Sequence, residues 1–395
     1  MTSLRVLLLG SYLPPRGGAE AHLAQVGELL QQAGHAVEVW APEPEQPGWS
    51  SLRDRVHAPA VARHVAERLV AFRPDVVHVH NFLRRLSTAP FALAARARVP
   101  AVLTVHDYQL TCPRTWALRS DSAPCPQPSL PLCLFGNCRG GLHGVAGRAV
   151  YAANTLRIGL AARIVRRRAA RVLAPSQALA LRLCRVLQRE VAHVPYPFPP
   201  LASFRAPATS RLLFLGRVAA EKGPLELLQA LAAARRSGAA LELTVAGDGP
   251  LLDTVRARIE GLGLGDVVRC TGWVDASAVP ALLAAHGALC VPSVWLENSP
   301  LAVHEALAAG RPVLGSTRGG IGELVDDSRS GLLFDPLDGA AFTAALLRWA
   351  ALDDSSRAAF AHAARERAAA AGGSDAFLRR LLAEYAAALA VARRP

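Results

Sequence analysis

The chain alternates short, continuous apolar runs with longer stretches in which apolar residues return every three or four positions. In the first half the short runs fall at 5–10, 36–41, 75–80, 101–105, 172–175 and 193–195. The second half repeats the pattern at 212–215, 241–246, 268–271, 288–292, 313–315 and 331–334. A sheet with one wet face would show strict apolar–polar alternation. Unbroken runs such as Leu212-Leu213-Phe214-Leu215 instead mark strands buried on both faces, hence parallel sheets covered by helices. The pattern predicts two α/β domains, both doubly wound and Rossmann-like.

A boundary is visible in Pro195, Pro197, Pro199, Pro200 and Pro207, which neither a helix interior nor a central strand accommodates. A second break, Gly372-Gly373-Ser374, precedes a last helical stretch. The expected organisation is one Rossmann-like domain over 1–200, a second over 201–372, and a terminal helix over 373–395 that crosses back to the first domain. Two such domains leave a cleft between the carboxyl ends of their strands, where open α/β sheets bind ligands.

Composition narrows the class. At 395 residues and 51% hydrophobic, the chain supports two cores of ordinary size. No apolar run is long enough to span a bilayer, and Val6–Leu9 is too short for a signal peptide core. The expected location is the cytoplasm, with peripheral attachment to the inner face of the membrane as an extension. That extension comes from charge. Residues 1–200 hold 24 Arg against 11 Asp and Glu, whereas residues 201–395 balance 20 against 20, so the whole +13 lies in the first half. A basic domain faces something anionic: a membrane leaflet, a phosphorylated acceptor or nucleic acid. The densest basic run is 157–171, read as a helix with apolar positions at 158, 161, 164 and 165. Such a helix either lies on a membrane surface or turns one face into the core.

Lys222 is the sole lysine among 44 basic residues, and it follows the run 212–215 within Gly216-Arg217-Val218-Ala219-Ala220-Glu221-Lys222-Gly223. A flexible ammonium and a planar guanidinium placed together after a strand suit an anion with several oxygens, such as a diphosphate. Further on, Glu297-Asn298-Ser299-Pro300 leads into a helix that Ser299 is expected to cap, with Glu305 on its body. The helix N-terminus offers unpaired N–H groups to phosphate, and a carboxylate such as Glu305 accepts two hydrogen bonds from a vicinal diol. No Asp-x-Asp pair for Mg²⁺ is present, so Arg217 and Lys222 are expected to replace the metal.

In their order, Gly17-Gly18-Ala19-Glu20, Val105-His106-Asp107-Tyr108, Leu215 to Gly223, Gly247-Asp248-Gly249-Pro250, Glu297 to Glu305, and Gly319-Gly320-Ile321 resemble a family-4 retaining glycosyltransferase of the GT-B fold. The resemblance covers nearly the whole chain. It implies that Arg217 and Lys222 bind the donor diphosphate and that Glu305 holds the nucleotide ribose. Glu297 and the backbone after it, Asn298, Ser299, Pro300 and Leu301, would contact the transferred sugar. Gly17 and Gly18 would close on the phosphates, and His106 would touch the sugar near the reacting centre. Gly272-Trp273-Val274 is a candidate for reading the base. His78, His80 and Asn81 end another strand and are read as core residues or acceptor contacts.

Seven cysteines divide into isolated Cys184, Cys270 and Cys290, expected in the core, and a group within the loop 109–145: Cys112, Cys125, Cys133 and Cys138. The loop has little apolar material of its own. Its thiolates are read as a structural Zn²⁺ or iron–sulfur site, as reduced thiols or as disulfides; no close Cys-x-x-Cys pair decides among them. Some family-4 enzymes resemble this chain in carrying a cysteine-bearing insertion here.

The expected function is a retaining hexosyltransferase-type glycosyltransferase. A nucleoside-diphosphate sugar is the donor, and a lipid-linked or other envelope glycan is the acceptor; no catalytic cofactor is expected. Alternatives are a nucleotide-sugar epimerase of the same architecture and a non-catalytic nucleotide-sugar-binding protein. Nucleic acid is not an expected partner, because no aromatic-plus-basic platform accompanies the charge. A dinucleotide dehydrogenase is disfavoured because no Gly-x-Gly-x-x-Gly follows the first strand.

Overall fold

The computed structural model describes residues 3–12, 17–42, 58–83, 85–113, 115–119, 123–125, 133, 144–201, 204, 206 and 209–392, without the side chains at 144–146 and 148. Two compact units share the chain: Met1–Tyr196 together with Phe377–Pro395, and Pro197–Ala376.

The first unit is built on β1 (Arg5–Leu9), β2 (Ala36–Trp40), β3 (Val76–His80), β4 (Ala101–Thr104), β5 (Ala169–Ala174) and β6 (Ala192–His193), in the order β2-β1-β3-β4-β5-β6. The second holds β7 (Leu212–Leu215), β8 (Leu243–Ala246), β9 (Val268–Gly272), β10 (Ala288–Val291), β11 (Val313–Ser316) and β12 (Gly331–Phe334), in the order β12-β11-β10-β7-β8-β9. Every adjacent pair is parallel. In each sheet the chain leaves one strand first to one side and then to the other. This happens between β1 and β3 in the first unit and between β7 and β10 in the second. Open α/β sheets bind ligands beside such points, at the carboxyl ends of the strands.

Central strands are buried on both faces: Val6 to Leu9 and Leu212 to Leu213 are fully enclosed. The second unit's core includes Trp349 and the stacked pair Phe334–Phe342, with ring centroids 4.0 Å apart. In the first unit the terminal helix Gly373–Ala392 supplies Phe377, Leu381, Tyr385 and Ala388 to the core beside Val6, Leu8, Val76 and Val102. Tyr385 carries a polar tip into that core. Its hydroxyl meets His78 Nδ1 at 2.7 Å, and His78 Nε2 meets Thr104 Oγ1 at 2.7 Å, so both imidazole nitrogens on β3 are satisfied. Arg171 adds a rim contact, donating to Glu384 at 2.6 Å.

The basic run resolves differently from its expected 157–171 helix. The helix is Gly144–Arg168, and Ala169 to Arg171 already belong to β5. Arg189 donates to the carbonyls of Ala169 and Ala170 at 2.5 and 2.8 Å, which serves the backbone where the helix stops. Of the stripe at 158, 161, 164 and 165, Ile158, Ala161 and Val165 are buried and Ile164 is half-buried, so it faces the protein's own core. Among the described residues no helix is long and apolar enough to cross a membrane.

Two predictions follow from the buried imidazoles. Tyr385→Phe leaves His78 Nδ1 unpaired in a dry core and should destabilise the protein by about 1–3 kcal/mol in denaturant unfolding. Burial, above all, depresses His78, His106 and His304 to about 3. Protonation is then easier in the unfolded chain than in the native one. The associated stability is complete above pH 6.5 and drains as pH falls from 6.5 toward 3, at up to about 1.4 kcal/mol per histidine per pH unit. The urea midpoint should therefore drop steeply between pH 6.5 and 5. A midpoint constant over that interval contradicts this account.

Candidate functional site

The switch point of the second sheet gathers the charged residues singled out by the sequence. After β7 the chain passes Gly216 and Arg217 into a single turn, Ala220–Lys222, and then into the helix Pro224–Arg236. After β10 it passes Pro292 and Ser293 to Glu297 and then to the helix Leu301–Ala308. Gly223 lies where these two loops touch. Its φ is +69°, and a Cβ there would sit 2.0 Å from the Pro292 carbonyl oxygen, so only glycine permits the approach. Gly319 makes a similar approach: its φ is +76° and a Cβ would lie 2.1 Å from the Glu297 carbonyl oxygen. That carbonyl also accepts from Gly320 N–H at 2.7 Å. The Gly247–Pro250 turn supports the Arg217 loop, with Val218 N–H donating to Asp248 O at 2.9 Å.

Both cations are held by carboxylates. Lys222 Nζ donates to Glu297 Oε1 at 2.6 Å and lies 5.3 Å from the Trp295 ring centroid. Ser293 Oγ donates to the same oxygen at 2.6 Å. Burial opposes charge on Glu297, yet the neighbouring ammonium and these hydrogen bonds prevail and hold its carboxyl below the usual range. Arg217 pairs with Glu221, four residues on. The Arg217 side chain is 63% exposed and that of Glu221 only 6%, so a fixed carboxylate anchors a guanidinium that reaches outward. The backbone carbonyl of Glu221 also accepts from Val294 N–H at 3.0 Å. Arg318 steadies the same loop, pairing with Asp335 at 3.1 Å and donating to Val294 O at 3.4 Å.

Glu305 differs from the other glutamates. It is half-buried on the helix Leu301–Ala308, burial pushes its carboxyl above the usual range, and among the described residues no donor reaches its carboxylate. A desolvated acceptor without a partner is poised for hydrogen bonds from a ligand. Ser299 does not cap this helix. The residue before it is Pro300, which carries no side-chain cap, and Ser299 Oγ instead meets His304 Nε2 at 2.8 Å. The buried imidazole on the next turn is the nearer partner. Asn298 and Ser299 are buried. Trp273, 74% exposed, stands just beyond β9 at the same end of this sheet.

In the first unit, Gly17 and Gly18 are exposed at the start of the helix Gly18–Gln32, beyond β1. Gly17 has extended backbone, so its use lies in its small size rather than in a special conformation. His106 follows β4 and is 7% exposed. Its Nδ1 meets the Tyr196 hydroxyl and its Nε2 meets His80 Nδ1 at 2.8 Å. Both nitrogens are thus occupied within the unit. A neutral imidazole chain runs through His80, with His22 stacked on Tyr196 at 4.2 Å. Beside it, Asp107 accepts from Gln109 N–H at 2.9 Å and Gln109 Nε2 at 2.6 Å, and His106 N–H donates to Asn81 Oδ1 at 3.0 Å.

Sequence reasoning missed Glu221, Ser293 and Tyr196. Glu221 was legible in principle, as an acid one helical turn after Arg217. Ser293 and Tyr196 carry no spacing signal and act through tertiary contact alone.

Cys112 and Cys125 are buried free thiols, Cys133 is buried, and Cys138 lies outside the described residues. Among the described residues no group of three or more His, Cys, Asp or Glu is placed to hold a metal ion. Protein contacts hold the described part of the loop. Arg182 donates to Cys125 O at 2.6 Å and to Thr111 Oγ1 at 3.1 Å, and Cys125 N–H donates to Ala117 O at 2.8 Å.

Comparison with known proteins gives this geometry a setting. A Glycosyltransferase Family 4 model matches residues 16–198, and a Glycosyl transferases group 1 model matches 205–367. Among curated relatives, glycogen synthase of Mycobacterium tuberculosis is 28% identical over 300 residues, 75% of this chain and 65% of that enzyme. The 2-deoxystreptamine glucosyltransferase of Streptomyces kanamyceticus is 36% identical over 123 residues, 31% of this chain and 32% of its own. The chain thus spans less than two thirds of these relatives' own lengths. Among solved structures, sucrose-phosphate synthase from Thermosynechococcus elongatus superposes with a TM-score of 0.73 at 18% identity, covering 98% of this chain and 100% of that one. Anabaena HepE, solved with UDP and glucose, gives 0.68 at 19% identity, covering 96% and 98%. With the two family models placed in order on the two units and together reaching from residue 16 to residue 367, the chain belongs to the family-4-type glycosyltransferases and has the GT-B fold.

Proposed function

We propose that the chain transfers a sugar from a nucleoside-diphosphate donor to an acceptor hydroxyl with retention of anomeric configuration. The observation that carries this reading is the contrast at the second unit's switch point. Arg217 and Lys222 are anchored by carboxylates, while Glu305 is desolvated and has no donor among the described residues. The anchored cations suit a diphosphate. The waiting carboxylate suits the ribose diol of the same nucleotide.

The roles follow from donor capacity. An ammonium has three N–H groups and a guanidinium five, so the bonds to Glu297 and Glu221 leave several free for phosphate oxygens. Each glutamate fixes the direction of its cation before the donor arrives. As the anomeric carbon–oxygen bond breaks, charge builds on the departing diphosphate while the sugar carbon becomes cationic. Preorganised donors aimed at that charge lower the barrier. The acceptor oxygen bonds to the anomeric carbon on the face from which the phosphate leaves. Its proton passes to the departing phosphate oxygen, so the products are a glycoside and a nucleoside diphosphate.

His106, Gly17 and Gly18 are assigned to the first unit's contribution. The glycines allow backbone to approach phosphate, and His106 bounds the sugar, with its ring fixed by Tyr196 and His80. The backbone from Asn298 to Leu301 is assigned to the transferred sugar, and Trp273 to the base. The acceptor is a lipid-linked or other anionic envelope glycan, supported by the concentration of all net charge in residues 1–200. Catalysis then runs on Arg217 and Lys222 without a divalent cation.

Thermal melts with UDP, GDP and ADP should show one nucleotide raising the melting temperature, and its sugar conjugates should be turned over with a glycan acceptor. Lys222→Ala should lower kcat/KM by about 10²–10³, as removal of a preorganised donor does. Glu305→Ala should weaken nucleotide binding while leaving the melting temperature of the free protein unchanged or raised, because it removes an unpaired buried carboxylate. Wild-type turnover in Lys222→Ala, or no response to any of the three nucleotides, contradicts the proposal.

A further inference from the structure

The helix Gly144–Arg168 has a second face that the core does not use. Its inner side is committed, since Ile158, Ala161, Ala162 and Val165 are buried. On the outer side Leu156 and Leu160, one helical turn apart, are 62% and 44% exposed. The same stripe continues at steps of three and four residues to Arg163 and Arg167, and Arg166 and Arg168 flank it; all four are exposed. Among the described residues, the one side-chain hydrogen bond that these four make runs from Arg166 to Gln188, at 2.7 Å. The 25-residue helix contains no Asp or Glu.

These two features make opposite demands on a partner. Adjacent leucines in water seek an apolar neighbour, and clustered guanidiniums seek anions, preferably planar or tetrahedral oxyanions that take two N–H groups at once. A nucleic acid would serve the arginines and leave the leucines wet. An apolar protein groove would do the reverse. The boundary of an anionic bilayer meets both demands within a few ångströms, with acyl chains beneath and phosphate headgroups above. The residues differ from those whose helical spacing first suggested a membrane surface, because that stripe is already inside the protein.

We propose that the outer face of the helix Gly144–Arg168, with Leu156 and Leu160 inserted and Arg163, Arg166 and Arg167 on headgroup phosphates, docks the protein on an anionic phospholipid bilayer. The inference deepens the reading of a lipid-linked acceptor given above and rests on it. Docking by this face would bring the basic unit to the leaflet that presents such an acceptor, which converts a search in three dimensions into one along a surface.

The test is flotation of the full chain with vesicles of phosphatidylcholine alone or mixed with phosphatidylglycerol. Wild type should float with the mixed vesicles and remain behind with the neutral ones. Replacing Arg163, Arg166 and Arg167 together by Ser should lower the partition by on the order of 10²-fold, since each basic residue near an anionic surface contributes a factor of roughly five. Leu156→Ser with Leu160→Ser should lower it by at least about tenfold. Both variants should melt like wild type, the altered side chains being exposed. Equal recovery with neutral and anionic vesicles overturns the proposal, as does undiminished flotation of either variant. Binding of wild type to an RNA oligonucleotide, lost in the arginine variant and kept in the leucine variant, also overturns it by assigning the face to a polyanion. The nucleotide melts separate this from the catalytic reading. Failure to float with a normal nucleotide response removes the docking alone. Flotation without a nucleotide response removes the transferase.

Discussion

The ion pair between Lys222 and Glu297 is the contact on which the second unit's site depends. It joins the loop after β7 to the loop after β10, the two segments that diverge where the sheet reverses its order. Glu297 is nearly inaccessible, and an enclosed carboxylate is tolerable only when a cation and hydrogen bonds replace its water. Lys222 and Ser293 supply them. The arrangement has two consequences for chemistry. The ammonium cannot wander over the rotamers of a surface lysine, and the carboxylate cannot take up a proton at neutral pH. The neighbouring Arg217–Glu221 pair repeats the device at the rim, with the carboxylate inside and the cation outside.

The backbone around these pairs is equally constrained. Gly223 and Gly319 each stand where a methyl group would collide with a carbonyl oxygen, one against Pro292 and the other against Glu297. The loops therefore close to within backbone contact, and their side chains emerge from a nearly fixed frame. In the first unit the comparable order comes from imidazoles. His106, His80 and His78 are neutral and enclosed, and each is oriented by a hydroxyl or another ring rather than by a carboxylate. These rings carry no charge over the ordinary pH range.

Much of this was legible in the chain, and the reasons are specific. The twelve strands appeared because doubly covered strands read as unbroken apolar runs, as Leu212 to Leu215 does. The candidate charged residues appeared because a lone lysine in an arginine-dominated chain, beside Arg217 and ahead of two glutamates, is compositionally conspicuous. What escaped was tertiary. Spacing could not show that both nitrogens of His106 are occupied, nor that Ser299 turns to His304 instead of capping its helix. The helix expected to run to residue 171 stops at Arg168, because β4 and Arg189 claim the backbone of Ala169 and Ala170. Apolar periodicity located a core-facing stripe on that helix. Only accessibility could reveal that the opposite stripe is apolar as well.

The route of the chain has a bearing on its biosynthesis. The first unit is discontinuous: its sheet comes from the opening 196 residues, but Phe377, Leu381 and Tyr385 arrive only at the close. The second unit is one uninterrupted stretch. During translation the sheet of the first unit therefore precedes its cover, and the surface around Val6, Leu8 and Val76 waits until the helix Gly373–Ala392 has emerged. The segment made second is the first that can finish folding. Translation that stopped before Phe377 would leave Val6, Leu8 and Val76 without the side chains that cover them.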